Sequence, residues 1–209
     1  MAETIVLTPE QLFFLGECMQ AEFIDYAYIA SMHELQRNYA RIRSRCISEL
    51  AQAGLVRERL SGEISVRPLP GALLKHIFFG ETETTLEVYT PSESEIATVW
   101  RYHWLEGNAT QVLQKGHLLE VSSDGAESLE KLVSQLTQTK DAPEAISEFR
   151  KDSITRIIMA KKAVVGKGYA DMVLFEQNGG LYAANAEAAP TGISGQRAKQ
   201  LLLSVLKGE

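Results

Sequence analysis

The stretch Thr98-Val99-Trp100-Arg101-Tyr102-His103-Trp104-Leu105-Glu106-Gly107-Asn108-Ala109-Thr110-Gln111-Val112-Leu113 decides the fold. From Ile96 to Leu105 the side chains alternate, so that Ile96, Thr98, Trp100, Tyr102 and Trp104 share one face of a strand. Gly107-Asn108 marks a tight connection to a second strand from Thr110 to Leu113. Strands joined this closely pair antiparallel, because parallel neighbours need a long crossover. His117 to Val121 is read as a continuation of that second strand past a bulge at Gly116.

The same pattern extends outward in both directions. Upstream, Thr84 to Tyr89 alternates at period two. Downstream, Ile154 to Val165 is rich in β-formers and ends at Gly166-Lys167-Gly168. Tyr169–Gln177 and Leu181–Ala184 flank Asn178-Gly179-Gly180, a strong hairpin signal because Asn-Gly accepts positive φ. Helical patterns surround these strands. Thr8-Pro9-Glu10-Gln11 reads as a capping box with proline in the first turn, followed by Leu12, Leu15 and Met19 on one face. Further helices are expected over about 26–35, about 38–53 with Gly54 as its left-handed terminator, and 72–79. Leu129, Leu132, Val133 and Leu136 stand at helical spacing after a cap at Ser123 or Asp124. A short helix is expected over 142–149. Thr191-Gly192-Ile193-Ser194 introduces a last helix with Ala198, Leu201, Leu202 and Val205 on one stripe. The fold class is therefore α+β: a central antiparallel β-sheet flanked by N-terminal, middle and C-terminal helices. The 209 residues are expected to form a single compact α+β domain over 1–209. Within it, a helical, winged-helix-like subdomain over 1–80 would precede sheet and helices over 81–209.

Composition narrows the function classes. Hydrophobic residues are 45% and charged residues 23%, ordinary for a globular protein and unlike disordered, collagenous or coiled-coil chains. A net charge of −6 is the wrong sign for a general nucleic-acid coat. Two cysteines, Cys18 and Cys46, make no disulfide framework and suit a reducing, cytoplasmic setting. The opening Met1-Ala2-Glu3-Thr4 has no basic region before an apolar run, so no signal peptide is expected. No apolar run reaches about 18 residues, so no membrane insertion is expected either.

The residues assemble no chemistry. His33, His76, His103 and His117 lack metal-ligand spacing, and no catalytic residue, metal site or cofactor is assigned. His103 is expected half-exposed on its strand, across from Trp100, Tyr102 and Trp104, which are expected to pack as core. Gly192-Ile193-Ser194-Gly195-Gln196 is not a nucleophile elbow. From Ser31 to Pro70 seven arginines face four glutamates. Arg37, Arg41, Arg43, Arg45, Arg57, Arg59 and Arg67 sit on helices and then a small hairpin, as in a winged helix. In that reading the third helix would enter a major groove and Arg57 or Arg59 would touch phosphate. The plainer reading is a solvated face with local pairs such as Arg45–Glu49.

Leu7-Thr8-Pro9-Glu10-Gln11-Leu12, the helix end Glu49-Leu50-Ala51-Gln52-Ala53-Gly54-Leu55-Val56, the late hairpin and the leucine-rich last helix together resemble the EspG-like proteins of type VII (ESX) secretion systems and their relatives in Gram-positive bacteria. The likeness lies in the order of elements more than in identity, and it carries over no catalytic set. It implies a cytoplasmic chaperone or adaptor that binds a helical secreted protein substrate and keeps an apolar tip covered. A winged-helix DNA-binding transcriptional regulator is the alternative, and an enzyme on an α+β scaffold a third class. The oligomeric state is left open. For the preferred reading the contact surface is expected at the sheet rim, on Leu105, Glu106, Gly107 and Asn108, and on the helices after Asp124.

Overall fold

The computed structural model describes residues 3–30, 32, 34–91, 98–139, 151–164, 168–185 and 188–207. The expected helix over 142–149, residues 96 and 97 of the expected strand, His33 and the Gly166-Lys167 pair lie outside the described residues. In chain order the strands are β1 (Thr4–Leu7), β2 (Val56–Glu58), β3 (Ile64–Val66), β4 (Thr82–Tyr89), β5 (Thr98–Leu105), β6 (Asn108–Lys115), β7 (Leu118–Ser122), β8 (Ile154–Val164), β9 (Gly168–Gln177), β10 (Gly180–Asn185) and β11 (Ala188–Ile193). The α-helices are α1 (Pro9–Cys18), α2 (Tyr26–Ile29), α3 (Leu35–Gln52), α4 (Pro68–Phe79), α5 (Gly125–Leu136) and α6 (Gly195–Leu206). Among the described residues, nine strands follow the hydrogen-bonded order β1-β7-β6-β5-β4-β8-β9-β10-β11, and β2-β3 forms a separate hairpin. The α+β, antiparallel expectation is borne out.

The chain divides into two compact units. The first comprises Met1–Gly80 and Trp104–Asp124. Its α1 starts as expected: Thr8 Oγ1 accepts from the Gln11 N–H at 3.2 Å and Gln11 Oε1 accepts from the Thr8 N–H at 3.0 Å, a reciprocal capping box. The Gln11 amide also donates to Glu49 on α3 at 2.9 Å. α3 ends on Gly54 at φ +72°. There the Leu55 N–H reaches Leu50 O and the Gly54 N–H reaches Ala51 O, which satisfies two carbonyls left over at the helix end. α2 is a single turn, and Asn38 breaks helical geometry near the start of α3. Leu7, Leu12, Leu15, Tyr28, Leu50, Leu74 and Val112 lead the core of this unit. α4 is pinned to β6 by buried Thr110, whose hydroxyl donates to Leu73 O and lies 3.1 Å from His76 Nδ1.

Three expectations in this unit are corrected. α4 begins at Pro68, not Ala72. Pro68 and Pro70 occupy its first turn, where a missing N–H costs nothing. Gly116 is not a bulge: with Lys115 paired to Leu118, Gly116 and His117 are the turn of a β6–β7 hairpin, and Gly116 takes φ +62°. The β5–β6 turn is Glu106-Gly107, with φ +52° and +78°, and Asn108 is already the first residue of β6.

The second unit comprises Glu81–His103 and Gly125–Glu209. β4 pairs with β8 from Thr82↔Val164 to Tyr89↔Ile157, and β8 pairs with β9 from Ile154↔Gln177 to Val164↔Gly168. The cross-strand neighbours Leu86↔Ala160 and Ile158↔Leu174 are all fully buried. α6 packs on β8, β9 and β4. Its inward stripe is Ala198, Leu202 and Leu206, with Leu201 and Val205 half-buried beside it. α5 buries Leu129, Val133 and Leu136, while Leu132 is half-buried. Asn178-Gly179 closes the β9–β10 hairpin at φ +52° and +79°, as expected. β11, where only a helix lead-in was expected, runs along β10 as an outer strand. An outer strand leaves alternate N–H groups unpaired, so Pro190 is tolerated there.

Candidate functional site

The expected contact residues sit at one hairpin tip. Glu106, Gly107 and Asn108 are exposed and Leu105 is half-buried. The Asn108 side-chain amide donates to the Glu106 carbonyl at 3.3 Å and braces the turn. Glu106 occupies the left-handed region, where a Cβ costs about 1–2 kcal/mol. Asparagine or glycine is the ordinary occupant of such a position. α4 runs up to this end of β5: a Cβ on Gly80 would stand 2.9 Å from the Trp104 carbonyl oxygen. Only a residue without a side chain lets the helix end and the strand come this close.

The other residues singled out in the sequence are scattered. His76 binds Thr110, and His117 is exposed in the β6–β7 turn. His103 is not half-exposed but 5% accessible, with Nδ1 3.9 Å from Glu83 Oε2, while Arg101 Nε stands 3.8 Å from Glu83 Oε1. Tyr102, pointing the other way, is fully buried, so the middle of β5 is covered on both faces. Trp100 and Trp104 are half-buried, which corrects the expectation of a wholly buried aromatic face. Burial pushes the thiols of Cys18 and Cys46 up, the reverse of what activates a nucleophile. No group of three or more His, Cys, Asp or Glu among the described residues is placed to hold a metal ion. No helix among the described residues is long and apolar enough to cross a membrane.

A second surface, in the first unit, is built around the β2–β3 hairpin. An open hollow of about 1170 Å³ is lined by Arg57, Glu58, Arg59, Leu60, Ser65 and Arg67. Beside it a groove of about 740 Å³ is lined by Met19, Glu63, Val66, Ala72, Lys75 and Phe79. Leu60 is fully exposed, and Leu69 and Phe79 are exposed as well. The arginines were visible in the sequence. The apolar set was not, because helical spacing alone does not say that Leu69 faces out while Leu73 and Leu74 face in.

Fold and surface define a class: an α+β protein on an antiparallel sheet, whose candidate sites are a hairpin tip and an open basic hollow. No family model matches the chain, and neither does any curated protein. A solved structure shares the fold nearly end to end. The type VII secretion system chaperone EspG5 of Mycobacterium tuberculosis, in complex with the PE25–PPE41 dimer, matches with a TM-score of 0.60 over 98% of this chain and 97% of that one. Identity is 9%, so what the likeness establishes is the fold. The resemblance read from the order of elements is thereby borne out.

Proposed function

We propose that this chain is a cytoplasmic chaperone or adaptor of a type VII secretion system, with no turnover of its own, that binds a helical secreted protein. One observation carries the reading: 98% of the chain shares the fold of a type VII secretion system chaperone in complex with a PE25–PPE41 dimer. The contact surface assigned to it in the first unit is the tip formed by Leu105, Glu106, Gly107 and Asn108; in the second unit it is α5. The left-handed Glu106 supports this assignment. A strained carboxylate at an exposed tip spends stability that an asparagine would keep, and such strain gathers at working sites. α5 offers an amphipathic helix whose half-buried Leu132 could border a groove for a third helix.

The test is co-expression with small helical proteins encoded beside this chain, followed by size-exclusion chromatography. Co-elution as a defined complex is expected. Salt-sensitive retention of duplex DNA would favour the winged-helix alternative. Hydrolysis of a test substrate would place the chain among enzymes.

A further inference from the structure

The β2–β3 hairpin carries an argument that the substrate reading does not use. Arg57 and Ser65 are cross-strand partners and share one face, which Arg67 continues, since its N–H bonds to the carbonyl of Leu55. Glu58, paired with Ile64, is exposed and borders both this hollow and the cleft toward α3. The hollow is thus lined by three arginines, Arg57, Arg59 and Arg67, against one acid, Glu58. Arg59 is engaged by Glu63 at 3.1 Å. Arg57, Arg67 and Lys75 make no ion pair among the described residues. Leu60 stands fully exposed at the hairpin turn. The mixture is a local basic and apolar surface on a chain of net charge −6.

We infer that this face docks an acidic, amphipathic protein segment. Arg57 and Arg67 would take its carboxylates in the bidentate geometry that guanidinium groups favour, and Leu60 and Phe79 would take its apolar face. A second copy of the chain is the wrong occupant, because a two-fold contact would set these arginines against themselves. Duplex nucleic acid is also disfavoured, since a fully exposed leucine gains nothing against phosphates. The inference goes beyond the substrate reading and stands without it.

The probe is a fluorescein-labelled amphipathic helix with leucine on one face and glutamate on the other, titrated with the full chain. Its comparison is the same peptide with lysine for glutamate. Binding of the acidic peptide alone is expected. The double substitution Arg57→Glu with Arg67→Glu should weaken it at least tenfold, and Leu60→Asp at least fivefold. Glu58→Lys, which removes the acid that lines the hollow, should strengthen it. All of these positions are exposed, so unaltered melting temperatures will separate binding from folding. Equal binding of both peptides, or no loss in the arginine double variant, would overturn the inference. So would duplex DNA binding abolished by the same variant, or self-association in sedimentation abolished by Leu60→Asp.

Discussion

Gly195 opens α6 directly against Thr137: a Cβ at Gly195 would stand 2.2 Å from the Thr137 carbonyl oxygen. Backbone cannot yield there as a flexible side chain would. Gly195→Ala should therefore destabilise by about 1–3 kcal/mol, although alanine is otherwise the better helix former by about 1 kcal/mol. Thermal denaturation checks this. An unchanged or higher melting temperature would mean that the helix start and residue 137 are further apart.

The capping box predicts a smaller loss. Thr8→Ala removes the acceptor for the Gln11 N–H and should cost about 1 kcal/mol. Urea unfolding with an unchanged slope and a lowered midpoint is the expected result.

Burial on β5 ranks two aromatic truncations. Tyr102 is fully buried and Trp100 only half-buried. Tyr102→Ala should cost about 3–5 kcal/mol, in the range of other core aromatics, and Trp100→Ala clearly less. The reverse order in denaturant midpoints would contradict the placement of the strand.

Strain at the tip has its own signature. Glu106→Asn introduces a shorter, neutral polar side chain that tolerates φ +52°. It should stabilise by up to about 1 kcal/mol. A destabilised variant would show that Glu106 makes a compensating contact.

How much of this was legible in the residues depends on the kind of constraint. Asn178-Gly179 was readable because the turn needs positive φ and those residue types supply it. The β5–β6 turn was read one residue late because Glu106 holds a conformation its side chain disfavours. β11 was missed since Pro190 and Gly192 signal breaks, and nothing local says that a strand will be outermost. α4 lost its first turn to the same bias against proline. His103 shows the limit of alternation: period two separates the faces of a strand but not whether both are covered. At the candidate sites, Leu105 to Asn108 and the arginines were all nameable from sequence. The gathering of Arg57, Arg59 and Arg67 around one hollow, and the outward set of Leu60, Leu69 and Phe79, needed the pairing of β2 with β3 and the seating of α4.

The central claim is tested most directly by the affinity of the purified chain for a co-expressed helical secreted protein, with Asn108→Arg and Glu106→Lys as variants. Both residues are exposed, so both variants should keep the parent melting temperature. The account predicts a defined complex that each variant weakens by more than about 2 kcal/mol, roughly thirtyfold in Kd. Affinity undiminished in both variants would remove the β5–β6 tip from the interface, and no complex with any such protein would contradict the chaperone reading itself.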